Sequence, residues 1–246
     1  MPNAHIESDI LRYIVEHQVQ PGERLPTINE LSQELGVSVS KIREELEVAR
    51  TLGLVQIKPR TGTQVQPFDF APAVTLSVLY ALGLERSYFR DFSRLRRNIE
   101  LSFWHDAVPA LTAEDIAYLR DLVRRAREKL NHVPVEVPFV EHRDLHLTFF
   151  KYLENPFVNG LLQAYWVAYE AFGLPLYADL AYHRSVWDYH ERMVECVAQG
   201  DYEGGRQALK EHMSLLRHQP ESPDSSSNGH AAQEKQKMLP FYHFFE

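Results

Sequence analysis

The chain has 246 residues, enough for two domains of ordinary size, and 44% of them are hydrophobic, which excludes wholesale disorder. A single cysteine, Cys196, excludes an intramolecular disulfide and a thiolate-rich zinc site and fits a reducing cytosol. The formal charge of −8 argues against nucleic acid as a partner unless basic residues share one face.

The N-terminal MPNAHIESDILRYI has no basic stretch followed by an apolar run, so export is not expected. No stretch approaches the roughly 18 apolar residues of a membrane helix. A cytoplasmic protein is expected.

In chain order, residues 5–19 carry Ile6, Ile10, Leu11, Ile14 and Val15 at helical spacing, and Pro21-Gly22 stops that helix. Thr27 followed three residues later by Glu30 has the form of a capping box, opening a second helix that ends at Gly36. Ser38 caps a third, running to Gly53. Two β-prone runs follow, 54–58 and 63–68, separated by Pro59-Arg60-Thr61-Gly62, a turn composition. Helix, helix, tight Gly-containing turn, helix and hairpin is the order of a winged helix-turn-helix, expected here over residues 1–68. Residues 37–60 hold Lys41, Arg43, Arg50, Lys58 and Arg60 against Glu44, Glu45 and Glu47, enough for a small basic face.

Beyond residue 72 no strand signal remains. Helical segments are expected near 72–83, 85–108, 112–132, 136–154, 156–173, 176–199 and 201–218, broken by Gly83, Pro109, Pro134 with Pro138, Asn155-Pro156, Gly173 with Pro175, and Gly200-Asp201. Short connections imply antiparallel neighbours, so 69–218 reads as an all-α bundle and the whole fold as mainly α. Residues 219–246 read as a disordered polar tail with an aromatic end.

Pro21-Gly-Glu-Arg-Leu-Pro26, ELSQELGVS (30–38), Ile42-Arg43-Glu44, Gly53-Leu-Val55 and Gly62 resemble the N-terminal domain of the GntR family of regulators. The helical half resembles the FadR-type branch, with its FCD effector domain, through Arg96…Glu100, His146, Asn155-Pro156, His190, Gly200-Asp201 and His212. The resemblance implies a dimeric, ligand-responsive regulator, usually a repressor, on a pseudo-palindromic double-stranded DNA operator. Its effector domain would sense a small metabolite, commonly a carboxylate, and in many members holds a metal.

Candidate DNA contacts are Ser38, Val39, Ser40, Lys41 and Arg43 at the start of the third helix, Thr27 before the second, and Arg60 and Gly62 in the wing. Arg43 has the geometry to read guanine or clamp a phosphate; a pair with Glu47 is the alternative. The family often has Arg at the places of Val39 and Asn29, so a different operator is expected.

His142 and His146 share a helix face, and His190 and His212 lie equidistant from residue 201, so an antiparallel pair turning there sets them opposite. Imidazoles are common metal ligands, and spacing permits a cluster. The resemblance implies ligands at His146, His190 and His212, with His142 where the family has Asp, for a divalent ion such as zinc or nickel. Four neutral ligands would leave the ion's charge for an anion to complete. Satisfied histidines in a metal-free, acyl-ligand-responsive member are the alternative. Arg96 is a candidate to hold an effector carboxylate, or a structural partner of Glu100. Tyr165, Trp166, Tyr169 and Trp187 would line a cavity or fill a core. A metal-dependent enzyme is the remote reading: no H-E-x-x-H and no partnered general base are visible.

Overall fold

A computed structural model describes residues 6–171 and 179–215. The tail with its aromatic end, the Gly173–Pro175 break and the last residues expected of the 201–218 helix lie outside the described residues.

The N-terminal unit holds α1 (Asp9–Glu16), α2 (Ile28–Leu35), α3 (Val39–Thr51) and the hairpin β1 (Val55–Lys58) and β2 (Gly62–Val65). The expected capping box forms: Thr27 Oγ1 accepts from the Glu30 N–H and the Glu30 carboxylate accepts from the Thr27 N–H. Gly36 closes α2 at φ 68°, a left-handed cap that suits glycine. The strands pair antiparallel with Val55 opposite Val65 and Lys58 opposite Gly62, and Arg60 sits at the tip with φ 68°. Pro21–Leu25 flanks β2 on its other side, through Val65 N–H to Glu23 O and Leu25 N–H to Thr63 O. Ile10, Leu31, Ile42, Leu46, Val55 and Val65 form the core of this unit.

The first helix is shorter than its apolar pattern. It starts where Ser8 caps it and the Glu45 carboxylate accepts from the Ile10 N–H at 2.9 Å, which leaves Ile6 outside. It stops ahead of Pro21 because Gln18 takes φ 52°, letting the Val19 N–H reach Ile14 O.

The bundle comprises α4 (Ala71–Leu84), α5 (Tyr88–Ala107), α6 (Ala113–Asn131), α7 (Phe139–Phe149), α8 (Pro156–Ala171), α9 (Leu180–Ala198) and α10 (Tyr202–Leu215), with a 3-10 turn at Val108–Ala110. Helix α7 is shorter than the expected 136–154. Pro138 precedes its first turn, and at the far end the chain turns so that Asn155 Oδ1 accepts the N–H groups of Phe157 and Val158, capping α8 instead. Trp104, Leu119, Leu122, Leu145, Phe149, Trp187 and Met193 are the centre of the core. No helix among the described residues is long and apolar enough to cross a membrane.

The connection between the two units is packed. Phe68 and Phe70 lie edge-on to Phe157 at 5.6 and 5.4 Å. A Cβ on Gly160 of α8 would stand 2.8 Å from the Ala71 nitrogen, and one on Gly53 would stand 2.7 Å from Pro72 Cγ. Glycine at 160 lets backbone approach backbone, and glycine at 53 leaves room for the Pro72 ring.

Candidate metal centre and DNA-binding face

Helices α9 and α10 form a hairpin about Gly200, at φ 78°, and Asp201, whose carboxylate accepts the Gly204 N–H. Folding there sets His190 and His212 with ring centroids 4.5 Å apart. Helix α7 adds His142 and His146 from one face, with centroids 4.7 and 5.1 Å from His190. One ligand atom from each of the four lies within 4.8 Å of the others. The structure thus brings together the four histidines that the sequence singled out.

Zinc–imidazole bonds of about 2.0–2.1 Å place two ligand nitrogens roughly 3.3 Å apart in a tetrahedron. His146 Nε2 and His190 Nε2 are 3.2 Å apart. The ring nitrogens His142 Nε2, His190 Nδ1 and His212 Nδ1 are buried without a hydrogen-bond partner among the described residues. Leaving buried polar groups unmet is costly, and four crowded imidazoles, three of them with an unmet ring nitrogen, are a donor set that fits a divalent cation. Burial holds all four imidazoles well below the ordinary histidine value, aided by Arg96 and, for all but His146, by neighbouring imidazoles. They are neutral at physiological pH, the form that ligates.

Glu100, wholly buried, stands behind His146 with Oε2 3.1 Å from Nδ1. A proton on Nδ1 donated to that carboxylate leaves Nε2 free to ligate, the carboxylate–histidine–metal arrangement. Arg96 Nε donates to Glu100 Oε1 at 2.7 Å, and the guanidinium lies over the Tyr165 and Trp166 rings at 4.4 and 4.5 Å. Of the two roles expected of Arg96, the pair with Glu100 is the one present. Tyr165, Trp166 and Tyr169 form a small core cluster, with Trp166 4.7 Å from His142. Trp187 and Tyr169 also border a recess beside His142, together with Tyr182 and His183. Its free volume is about 10 Å³, the room one water needs. His183 was not singled out in the sequence; its place seven residues before His190 on the same helix was the available signal.

On the N-terminal unit, Ser38 Oγ accepts the Lys41 N–H as the cap of α3, and Thr27 serves α2 likewise. Ser40 Oγ reaches the Glu44 carboxylate at 3.3 Å. Lys41 is less free than the sequence implied: its ammonium pairs with Asp9 of α1 and stands 3.7 Å from Glu45. Val39 opens the helix half-buried. Arg43 is exposed, and Glu47, its expected alternative partner, binds Arg50 instead at 2.8 Å. Among the described residues Arg43, Lys58 and Arg60 form no ion pair, so α3 and the wing present free cations on a helix-turn-helix.

A helix-turn-helix with a wing, joined to a helical bundle around buried histidines, defines a two-domain transcriptional regulator. The sequence profile "Bacterial regulatory proteins, gntR family" matches residues 2–65, and that of the FCD domain matches residues 91–215. The chain belongs to the GntR family, with an FCD domain as its second half, and is a DNA-binding transcriptional regulator. It is 26% identical over 220 residues to the uncharacterised HTH-type transcriptional regulator YieP of Escherichia coli, covering 86% of this chain and 89% of that one. It is 22% identical over 207 residues to the HTH-type transcriptional regulator LutR of Bacillus subtilis, covering 80% and 91%. Among solved structures, a Streptococcus agalactiae GntR protein shares the fold with a TM-score of 0.60 at 18% identity, covering 85% of this chain and 95% of that one. The relatives are regulators rather than enzymes, which removes the metal-dependent enzyme from consideration.

Proposed function

We propose that this chain is a homodimeric, ligand-responsive repressor whose FCD domain holds a divalent metal, zinc or nickel, at His142, His146, His190 and His212 and senses a small carboxylate there. The observation that carries the reading is four neutral, convergent imidazoles with orphaned nitrogens and a carboxylate behind one of them. The metal-free alternative, with a long acyl chain, would need a cavity of about 300 Å³ or more, whereas the recess beside the cluster has about 10 Å³ and would have to widen for any organic ligand, least for a short carboxylate.

Each protomer would place α3 in one half-site. Arg43 is the base or phosphate reader, Ser38, Val39 and Ser40 supply the edge of the contact, and Thr27, Arg60 and Gly62 meet the backbone and the adjacent groove. Lys41, tied to Asp9, holds α1 against α3 and contributes charge rather than a free contact. A second copy suits the apolar stripe of α4, where Leu76, Tyr80 and Leu84 recur every four residues and stay 54%, 69% and 69% exposed. The response would travel along α8. Its Trp166 stands at His142, and its Phe157 and Gly160 hold the linker from the DNA-binding unit. A pose change there alters the match to the half-site spacing, limited by the effector's differential affinity for the two poses.

The test combines native mass spectrometry with selection from a random duplex library. A dimer with one divalent ion per chain, lost in His190→Ala/His212→Ala, and a selected pseudo-palindrome whose binding weakens by about 1–3 kcal/mol in Arg43→Ala are expected. A protein that takes up neither zinc nor nickel overturns the metal site.

A further inference from the structure

We propose that Glu44 is a base-reading residue of α3, its carboxylate accepting from the exocyclic amine of a cytosine in each half-site and rejecting guanine and thymine there. The inference rests on α3 lying in the major groove, and it names one base that the operator contains and the side chain that selects it.

Helix α3 carries three glutamates, and two of them are occupied. The Glu45 carboxylate faces α1, where it accepts from the Ser8 hydroxyl at 2.8 Å and from the Ile10 N–H at 2.9 Å. Glu47 accepts from Arg50 Nε at 2.8 Å, so its charge is met within the helix. Glu44 is exposed, and among the described residues it meets only the Ser40 hydroxyl, at 3.3 Å. That is longer than the roughly 2.5–3.0 Å of a good hydroxyl–oxygen bond, so the carboxylate is free to take a better donor. The core sets its direction. Ile42 and Leu46 are buried at 0% and 2% exposure, and Glu44 is two residues from each. At about 100° per residue it points away from both. Ser40, one turn earlier, shares that outer face, and the exposed Arg43 borders it.

A free carboxylate on the side of a helix that enters DNA is repelled by the phosphates unless a base offers it a donor. Arg43, Lys58 and Arg60 supply the attraction, so Glu44 contributes discrimination rather than affinity. Its chemistry selects the base, because an ionised carboxylate only accepts. In the major groove guanine presents N7 and O6 and thymine presents O4, all acceptors that a carboxylate cannot meet. Adenine offers its N6 amine beside the acceptor N7, so one carboxylate oxygen gains a bond while the other faces a lone pair. Cytosine offers its N4 amine with no acceptor on its own edge. Cytosine is therefore the base that satisfies Glu44. Arg43, one residue earlier, has the matching preference for guanine, and the two side chains together favour a half-site with G·C pairs at the contacted steps.

The experiment runs selection from a random duplex library on the full chain, in parallel for the unaltered protein, Glu44→Gln, Glu44→Ala and Glu47→Gln, with fluorescence anisotropy on the selected duplexes. The unaltered chain is expected to select a pseudo-palindrome with a fixed C in each half. Glu44→Gln, whose amide both donates and accepts, is expected to exchange that C for A, with a change in relative affinity on the order of tenfold. It is also expected to bind a scrambled duplex several-fold more tightly, since the repulsion is gone. Glu44→Ala loses the preference for C without gaining one for A, and covers the case in which Glu44→Gln does not fold. Glu47→Gln keeps the C, because Glu47 is already held by Arg50. A pseudo-palindrome whose bases are the same for the unaltered chain and both Glu44 variants overturns this inference and leaves α3 as the reading helix. Loss of the C in Glu47→Gln alone overturns the assignment to Glu44. No pseudo-palindrome selected by the unaltered chain overturns the placement of α3 as well.

Discussion

At the scale of single residues, buried carboxylates decide much of this molecule. Asp115 is the third residue of α6, and its carboxylate accepts from the Thr112 N–H at 2.9 Å, from the Thr112 hydroxyl at 2.8 Å and from the Lys151 ammonium. Burial alone would raise its pKa, but Lys151 and Thr112 overcome that and bring it down to about 2 from an ordinary 3.8. A carboxyl with a depressed folded value contributes stability that is present above about pH 4 and is lost as pH falls through about 2. Asp115→Asn is therefore expected to lower the thermal midpoint at neutral pH, with the gap from the parent closing between about pH 5 and pH 2. Parallel melting curves across that range check it, and a gap constant with pH counts against the assignment. Glu100 differs in kind, because it is shared between Arg96 and His146 and so couples an ion pair to a candidate ligand. Arg96 and Glu100 were legible as a pair four apart. That His146 leans on the same carboxylate was not, since 46 residues separate the partners.

At the scale of elements, α8 links the two halves. Its first two turns carry Phe157 and Gly160 against Phe68, Phe70 and Ala71, and its last two carry Tyr165, Trp166 and Tyr169 against α5 and the histidines. Gly160→Val would drive carbon into the Phe70–Ala71 backbone, which cannot yield as a flexible side chain does. Such overpacking costs roughly 1–3 kcal/mol. The expected result is a folded protein that still takes up zinc and still binds its operator, but whose operator affinity no longer responds to metal or carboxylate. Fluorescence anisotropy on operator duplex with and without zinc reads this out; a response equal to the parent's would show that the signal bypasses the joint. The sequence showed α8 as a helix following the Asn155-Pro156 break, yet gave no sign that Gly160 is where the linker lies down.

At the scale of the whole molecule, α4 is apolar all round, and only part of it is covered by α8. Such a stripe is rarely left bare, so Leu76→Glu with Tyr80→Glu is expected to halve the mass seen by sedimentation velocity and to weaken operator binding steeply, because two half-sites are then bound independently. A mass unchanged by both substitutions counts against α4 as the contact of the proposed dimer. The −8 charge does not contradict DNA binding at this scale. That figure is a sum over the whole chain, whereas phosphate is met by a local face, and among the described residues Arg43, Lys58 and Arg60 form no ion pair on the N-terminal unit.

Local chemistry was enough, from the sequence by itself, for the kinds of element and their order: a capping box at Thr27, a glycine stop at Gly36, a hairpin around Arg60 and a helical hairpin about Gly200-Asp201. These depend on neighbours a few residues apart, and even the meeting of His190 with His212 follows from counting outward from one turn. Where a boundary depended on a distant group the pattern misled, as with α1, shortened by Glu45 from another helix, and Lys41, drawn to Asp9. Only tertiary structure decided that His142 sits at the cluster's open edge, that Glu100 backs His146, that His183 and Tyr182 wall the recess, and that Gly160 receives the linker. Each is a contact between elements far apart in sequence, set by how helices pack rather than by what any of them prefers alone.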